Sequence, residues 1–512
     1  MTTAPVLIAG GGPAGLAAAA ELAHHGVRSI VVEPRARVSH SRPRAKTTSA
    51  RTMEIFRRWG VAAAVRENAP LKPEWCRTVV FCDTLDGEAI TRFDDAFGLR
   101  AEPCDLVAEG GQQVPQPIVE EVLRTHLRST GFVELRLGER VTGMRETGDG
   151  VTCEIAREDG STYRTTAQYV LGCDGSRGVT RDAICSTLHG VSSPRSNLNT
   201  VFRAPGLRPA MGDAVQYWVI GPEVKATMGP LDREGTWWAG LGGIDATCTE
   251  ERAVELLSAL VGRQAADTGI ELTATDPWVP RMLIADRWAS DRIFLVGESA
   301  HVNPPYGGHG FNTCVGDAVN IGWKLAAVLQ GWAGPGLLAS YERERRDVAQ
   351  RTIDSATRNL AASGPDIART AEGIQRSKHE EFHSLGLVLG YSYHGSPAVL
   401  ADEAPSFDVA NYTPSTLPGA RLPHVWISRD HSLYDDLGRG FTLIRPRGSD
   451  SDVAAFEADA AARRIPLKVI PAPPTWGLEH HLLIRPDQHI AWRGVRLDAS
   501  VPEYVVGGRT PL

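Results

Sequence analysis

Residues 6–33 read VLIAGGGPAGLAAAAELAHHGVRSIVVE, and three elements follow one another inside them. The apolar run 6–9 predicts a short buried strand, the Ala/Leu-rich run 13–25 a helix, and 28–33 a second strand. Strand, helix and strand at this spacing make a βαβ unit, which implies a parallel sheet with a right-handed crossover. The turn between the first two, Gly10-Gly11-Gly12-Pro13-Ala14-Gly15, matches GxGxxG in its proper context. In that pattern Gly10 makes the tight turn, Gly12 lets a pyrophosphate approach the backbone, and Gly15 allows close helix packing. Glu33 closes the second strand, 18 residues after Gly15, where a carboxylate can accept from a ribose hydroxyl. A dinucleotide site is expected; the motif alone does not separate NAD from FAD.

A second stretch, 292–325, reads RIFLVGESAHVNPPYGGHGFNTCVGDAVNIGWKL. A strand over 293–296 runs into a polar turn at 297–301. Paired prolines (304–305), glycines at 307, 308, 310 and 316, and a helix expected to begin near Asp317 follow it. Glycines there let backbone amides approach a flat ligand, because no Cβ holds it off. The helix would present its first N–H groups to a carbonyl or phosphate oxygen. Paired with the N-terminal glycines, this segment points to one bound FAD. A third signal is 169–177, YVLGCDGSR, which sets Asp174-Gly175 in a turn directly after a buried strand, with Arg181 downstream.

At 512 residues the chain should form two or three domains, since single cores stop growing at roughly 250–300 residues. Its 42% hydrophobic and 22% charged residues are ordinary for a globular protein. A net charge of -7 with no Lys/Arg block argues against nucleic acid or an anionic membrane as the main partner. Arg35, Arg37, Arg42 and Arg44 are better explained by an adenosine and pyrophosphate neighbourhood. Nothing reads as a signal peptide or a membrane span, so a cytoplasmic location is expected. The eight cysteines show neither CxxC nor zinc spacing, so reduced thiols and no metal site are expected.

Farther along, 139–183 reads as a β-meander. Residues 184–285 are mostly strand-like and rich in Trp, which suggests a separate antiparallel sheet and a natural seat for a substrate. The chain returns to the cofactor domain near Asp286, and a helical region covers 337–384. Pro405, Pro414 and Pro418 mark 401–420 as a linker. Beyond it, strands at 441–445, 467–470 and 481–484 alternate with a helix at 452–463, suggesting a small α/β domain.

The glycine fingerprint, the Asp174-Gly175 turn and the GESAH of 297–301 stand in the order and at about the spacing of the class A FAD-dependent aromatic monooxygenases. Residues 5–355 resemble that family, which includes p-hydroxybenzoate and phenol hydroxylases. The resemblance implies an α/β plus α+β molecule. A Rossmann-type FAD-binding domain with a helical extension would take residues 1–183 and 286–400. An inserted antiparallel-sheet substrate domain would take 184–285, and a linker with a thioredoxin-like C-terminal domain 401–512. The tail segments 418–424, 432–444 and 484–493 resemble those of phenol-hydroxylase-type members. No cysteine follows Cys314, so dithiol exchange is excluded there; packing or oligomerisation, a homodimer included, remains.

The resemblance also implies roles. Gly10, Gly12, Pro13, Ala14, Gly15 and Glu33 would hold the nucleotide half of FAD. Gln116, in VPQPIVEEVL, matches a glutamine that contacts it, and Arg44 matches the region beside the mobile flavin. Asp174 would serve FAD and nicotinamide binding, and Gly178 stands where the family usually has serine. Glu298 takes the place of an aspartate that bonds the ribityl chain. Pro305, Gly308, Gly310 and Asn312 belong to the loop lying against the isoalloxazine ring, its amides facing the N1–C2=O edge. Arg35 follows Pro34 and is not matched. His301 and His309 read as structural or solvent-facing. Trp218, Trp237 and Trp238 read as core or sheet-face residues, one of which could stack on an aromatic substrate.

The implied chemistry is transient NAD(P)H reducing a tightly bound FAD, with O₂ adding at flavin C4a to form a hydroperoxide. One oxygen atom then passes to a phenolic or heteroaromatic small molecule. Such a site must stay dry and needs a base for the phenol; the sequence names no catalytic residue for that. An Ala/Arg/Gly-rich composition favours natural-product tailoring. The alternatives are a Baeyer–Villiger outcome on the same fold, or a non-catalytic flavin-binding protein, against which the intact proline–glycine loop speaks.

Overall fold

The computed structural model describes residues 4–42, 44–102, 104–221, 223–363, 370–448, 453–498 and 500–507. The expected βαβ unit is Ala4–Ala9 (β1), Pro13–His24 (α1) and Ser29–Glu33 (β2), within two residues of the sequence reading at every boundary. β1 and β2 pair in parallel from Val6↔Ser29 to Ala9↔Val32. The first sheet runs Val133–Leu137, β2, β1, Thr162–Gly172, Gly150–Arg157, Glu139–Thr147, with Ile293–Leu295 also pairing Thr162–Gly172. The strand Thr162–Gly172 serves twice. Its first half pairs antiparallel with Gly150–Arg157, and its second half runs parallel to β1. Parallel strands end together, so the turns after β1, Gly172 and Leu295 all emerge at one edge.

The helix Gly310–Leu329 packs on α1. It starts at Gly310, seven residues before the expected Asp317, so the sequence reading is corrected there. Gly316 lies inside the helix, and its missing side chain makes room for Arg345, whose Nη2 would be 2.8 Å from a Cβ there. Glycine inside a helix costs about 1 kcal/mol relative to alanine, which makes it look like a break in the sequence.

The second sheet runs Glu271–Trp278, Asn197–Arg203, Thr236–Gly242, Lys225–Pro230, Gln216–Ile220, Val79–Cys82, Ala89–Phe93. Its last two strands lie outside 184–285, and Gln216–Ile220 pairs Val79–Cys82 in parallel, so the sheet is not purely antiparallel. The interval 184–285 also contains the helix Glu250–Val261, capped by the Thr249 side chain and ended by Gly262 at φ 95°. Ala253, Leu256, Leu257 and Leu260, spaced at one helical face, pack on Leu198, Phe202, Val219, Ala239 and Leu241. Side chains alternate across a strand, so Trp218, Trp238 and Gly240 belong to the opposite face. The helix Ala371–Phe382 covers part of that face, with Phe382 against Phe81 and Trp218. Around Trp238 and Trp278 it stays half-buried.

The C-terminal sheet runs Leu467–Pro471, Phe441–Arg445, His481–Ile484, Ile490–Gly494. Its parallel pair, Phe441–Arg445 with Leu467–Pro471, is joined through the helix Val453–Ala462. Phe441, Leu443 and Leu483 share one hydrophobic cluster with Trp323 and Trp332 from the cofactor side. Among the described residues no helix is long and apolar enough to cross a membrane, and no His/Cys/Asp/Glu group is arranged to hold a metal.

Candidate functional site

β1 ends in a turn whose glycines answer to different constraints. A Cβ on Gly10 (φ +102°) would fall 2.3 Å from the Cys173 carbonyl oxygen, and one on Gly15 only 1.9 Å from the Gly10 oxygen. Gly12 is another matter: the nearest atom to its missing Cβ is Arg35 Nη2, 4.0 Å away. Protein packing does not explain that glycine, but a ligand pressed against the backbone does. Pro13 and Ala14 open α1, and no side chain caps the helix, so its first N–H groups are left for an anion.

Glu33 is buried beside this turn. Its Oε2 accepts from Gly11 N at 2.7 Å, and its Oε1 from Arg35 N at 2.9 Å and Arg35 Nε at 2.6 Å. Arg35 also pairs with Glu120 at 3.2 Å, and Gln116 Nε2 donates to Glu120 at 2.8 Å. One polar chain thus runs from Glu33 to Gln116. Arg35, unmatched in the sequence because Pro34 intervenes, is its centre; only the folded loop shows its guanidinium returning to Glu33. Arg44 is exposed, in a left-handed conformation at φ 53°.

The other two motifs fold onto the same edge. Gly297 (φ +67°) is pressed against α1 and the helix Gly310–Leu329, since a Cβ there would fall 3.1 Å from Ala14 Cβ and 2.9 Å from Cys314 Sγ. Glu298 beside it is exposed. Arg181 Nη1 donates to the Ser299 oxygen at 3.2 Å, tying the Asp174 segment to GESAH. Asp174 accepts at Oδ2 from Thr180 N (2.9 Å) and Thr180 Oγ1 (2.6 Å). Its Oδ1 is buried without a partner, and burial pushes its carboxyl above the usual range. A Cβ at Gly178 would sit 1.9 Å from Asp174 Cγ, so serine does not fit here and Thr180 supplies the hydroxyl instead.

Pro305 is exposed, and Gly308 places its missing Cβ 3.5 Å from Thr47 Cβ. Gly310 packs by the Asn303 side chain. Asn312 acts as a clamp: its Oδ1 accepts from Ser49 N and Thr52 Oγ1, both at 2.8 Å. Its Nδ2 donates to Thr47 O at 3.1 Å and Gly308 O at 2.9 Å. Its side chain is spent on the protein, which leaves only its backbone for a ligand. His301 is structural, with Nε2 2.7 Å from Asp317 Oδ2, whose other oxygen takes Arg345 Nε at 2.7 Å. Burial takes the His309 imidazole down to about 4, so it is neutral near pH 7.

Of the three tryptophans, Trp237 turns into the core under the helix. Trp218 stacks on Phe81 with ring centroids 5.4 Å apart. Trp238 lies half-buried on the open face with Lys46 Nζ 4.6 Å from its ring centroid. Lys46 gives no sequence signal, being a lone lysine in a polar loop.

A family model described as an FAD binding domain matches residues 3–356, and one described as the C-terminal part of aromatic-ring hydroxylases matches 415–504. Aklavinone 12-hydroxylase RdmE of Streptomyces purpurascens is 32% identical, over 98% of this chain and 97% of its own. 2,4-Dichlorophenol 6-monooxygenase of Delftia acidovorans is 28% identical over 96% and 95%. Among solved structures, the rebeccamycin biosynthetic enzyme RebC with reduced flavin aligns at TM-score 0.89 and 32% identity, covering 99% of both chains. Aklavinone-11 hydroxylase, in a ternary complex with FAD and aklavinone, aligns at 0.87 and 30%, covering 98% of this chain and 99% of its own. Likeness of this extent at both sequence and fold level, over a cradle whose open places fit FAD, has one consequence: this chain belongs to the FAD-dependent aromatic-ring hydroxylases.

Proposed function

We propose that this protein consumes NAD(P)H and O₂ to hydroxylate a phenolic or related polycyclic aromatic compound, in the tailoring of a natural product. The observation that carries the reading is that the proline–glycine segment 304–310 lies by Thr47 at Gly308 and by the tryptophan-bearing sheet face at Tyr306, whose ring centroid is 6.4 Å from that of Trp218. When bound, FAD supplies the redox chemistry, passing electrons from the nicotinamide to O₂. The chain's own residues bind, orient and exclude water. Gly10, Gly12, Pro13, Ala14 and Gly15 would receive the pyrophosphate, and Glu33 a ribose hydroxyl. Gln116 and Arg44 would flank the cofactor. The unpaired Asp174 Oδ1 and the exposed Glu298 would accept from its hydroxyls. Pro305, Gly308, Gly310 and the Asn312 backbone would line the ring, with helix Gly310–Leu329 favouring negative charge there.

The division of labour we infer gives 1–183 and 286–400 to the cofactor and 184–285, joined by the strands of 79–93, to the substrate. Residues 401–512 would form a thioredoxin-like tail used for packing. Similarity to an aklavinone 12-hydroxylase and to a rebeccamycin biosynthetic enzyme supports the substrate class. The test is to purify the protein, measure FAD content, and follow NADPH oxidation with phenols, quinones and heteroaromatics under ¹⁸O₂. Stimulated oxidation with one labelled oxygen in the product is expected. A colourless protein, or one whose NADPH oxidation ignores every aromatic, overturns the reading, and ring expansion moves it to Baeyer–Villiger chemistry.

A further inference from the structure

Lys46 sits where the two halves of the site meet. On one side, Thr47 is clamped by Asn312 and touched by Gly308. On the other, the Lys46 side chain reaches the second sheet, its Nζ donating to Val215 O at 3.2 Å and Pro230 O at 3.4 Å. Gly229 makes room for it, its missing Cβ lying 3.4 Å from Nζ. The two fully buried lysines among the described residues are paired, Lys324 with Glu344 and Lys378 with Glu381, each at 2.7 Å. Among the described residues no carboxylate pairs with Lys46, and two neutral carbonyls use two of its three donors.

Two neighbours are also unsatisfied. Gln113, 4% exposed, gives its Nε2 to the same Val215 oxygen at 3.3 Å, while its Oε1 is buried with no donor. The Trp238 indole N–H, on the ring that Lys46 overlies, is buried with no acceptor. Unpaired buried polar groups are costly, and those kept at a site are matched by what binds there.

We propose that Lys46 anchors an acidic oxygen of the substrate, a phenolic hydroxyl or a carboxylate carried on the aromatic skeleton. The proposal rests on the hydroxylase reading and narrows its substrate class. Burial drives the Lys46 ammonium well below the usual lysine range, and an arriving anion is what would restore it. With a phenol, the O–H bond breaks as an N–H bond forms, leaving phenolate against ammonium. With a carboxylate, the amine takes up one proton from the bulk solution, from hydronium or a buffer acid, as the ion pair forms. Gln113 Oε1 then has a place for a second hydroxyl, and Trp238 N–H for a second oxygen.

The test titrates FAD-loaded enzyme with four matched probes, reading the flavin absorbance change. They are an ortho-hydroxynaphthoate, its methyl ester, the plain naphthoate, and the doubly methylated neutral compound. Wild type should bind the acidic probes about 10- to 100-fold more tightly than the neutral one. The ester and the naphthoate tell phenol from carboxylate. Lys46→Met should abolish the preference without changing the neutral probe's affinity or the resting flavin spectrum, and Lys46→Arg should keep part of it. Equal affinities in wild type, an unchanged preference in Lys46→Met, or a uniform weakening of all probes overturns the proposal. So does an altered resting spectrum, or failure of both variants to hold FAD, since either assigns Lys46 to the cofactor or the framework. A yellow, NADPH-oxidising wild type with no acid preference sinks the anchor and leaves the hydroxylase standing.

Discussion

Gly12 and Gly15 stand three residues apart in one turn, and the reasons they lack a side chain are opposite. Gly15 is closed by the protein, with the Gly10 oxygen 1.9 Å from where a Cβ would be. Gly12 has ordinary extended backbone at φ -76° and no heavy atom nearer than 4.0 Å. Alanine at each position therefore separates fold from ligand. Gly15→Ala should destabilise the protein by about 1–3 kcal/mol through overpacking, seen in urea denaturation without FAD. Gly12→Ala should leave that midpoint unchanged yet raise the FAD dissociation constant at least tenfold. Equal FAD affinity in Gly12→Ala would remove the reason given for that glycine. These residues were legible beforehand because a GxGxxG between strand and helix has few other uses. Lys46 gives no such signal, since what marks it is a missing carboxylate, and Arg35 reads only as one arginine of a nucleotide neighbourhood until its guanidinium is seen folded back past Pro34 onto Glu33.

At the scale of elements, the helix Gly310–Leu329 and the helix Ala50–Trp59 are bolted together by Asn312. Ser49, whose side chain caps Ala50–Trp59 at Thr52 N, gives its own N–H to Asn312 Oδ1 at 2.8 Å. Asn312→Ala removes four hydrogen bonds, each worth about 0.5–1.5 kcal/mol net, for a loss of about 2–6 kcal/mol. Since Gly308 and Thr47 then drift apart, water should enter the ring-binding loop, and hydrogen peroxide formed per NADPH consumed should rise. Unchanged coupling in the presence of a hydroxylated substrate would show the clamp to be dispensable. The sequence shows the helix but misplaces its start, because Gly310 and Gly316 imitate a loop and only Arg345 explains the second. The helix Glu250–Val261 is marked by the spacing of Ala253, Leu256, Leu257 and Leu260, and a reading of the interval as mostly strand-like does not single it out. Val79–Cys82 joins that sheet across more than a hundred residues, a pairing local pattern does not reveal.

For the whole molecule, the question is what a tail without thiols contributes. Arg421 forks onto Glu54, at 2.5 and 3.2 Å, and Arg51 donates to Asp487 O at 2.6 Å, so the C-terminal unit grips the helix that Asn312 positions. Farther in, Glu344 takes Arg485 at 2.7 and 2.8 Å, Lys324 at 2.7 Å and Ser396 at 2.5 Å, all buried. Burial alone would raise the Glu344 carboxyl, but Arg485 and Lys324 overcome it and hold the group at about 2 instead of 4.5. A carboxylate depressed on folding contributes stability in full above its unfolded value and loses it as pH falls through the folded one. The contact between tail and cofactor side should therefore weaken as pH drops from 4.5 towards about 2. Glu344→Gln strands Lys324 in the interior and leaves Arg485 to Asp487 alone, and should cost about 3–5 kcal/mol at pH 7. Because the variant has no carboxylate there to protonate, its stability should also fall less steeply over that acid range, as read by urea denaturation at several pH values. Parallel acid limbs in wild type and variant would mean that some other carboxylate governs the docking of the tail.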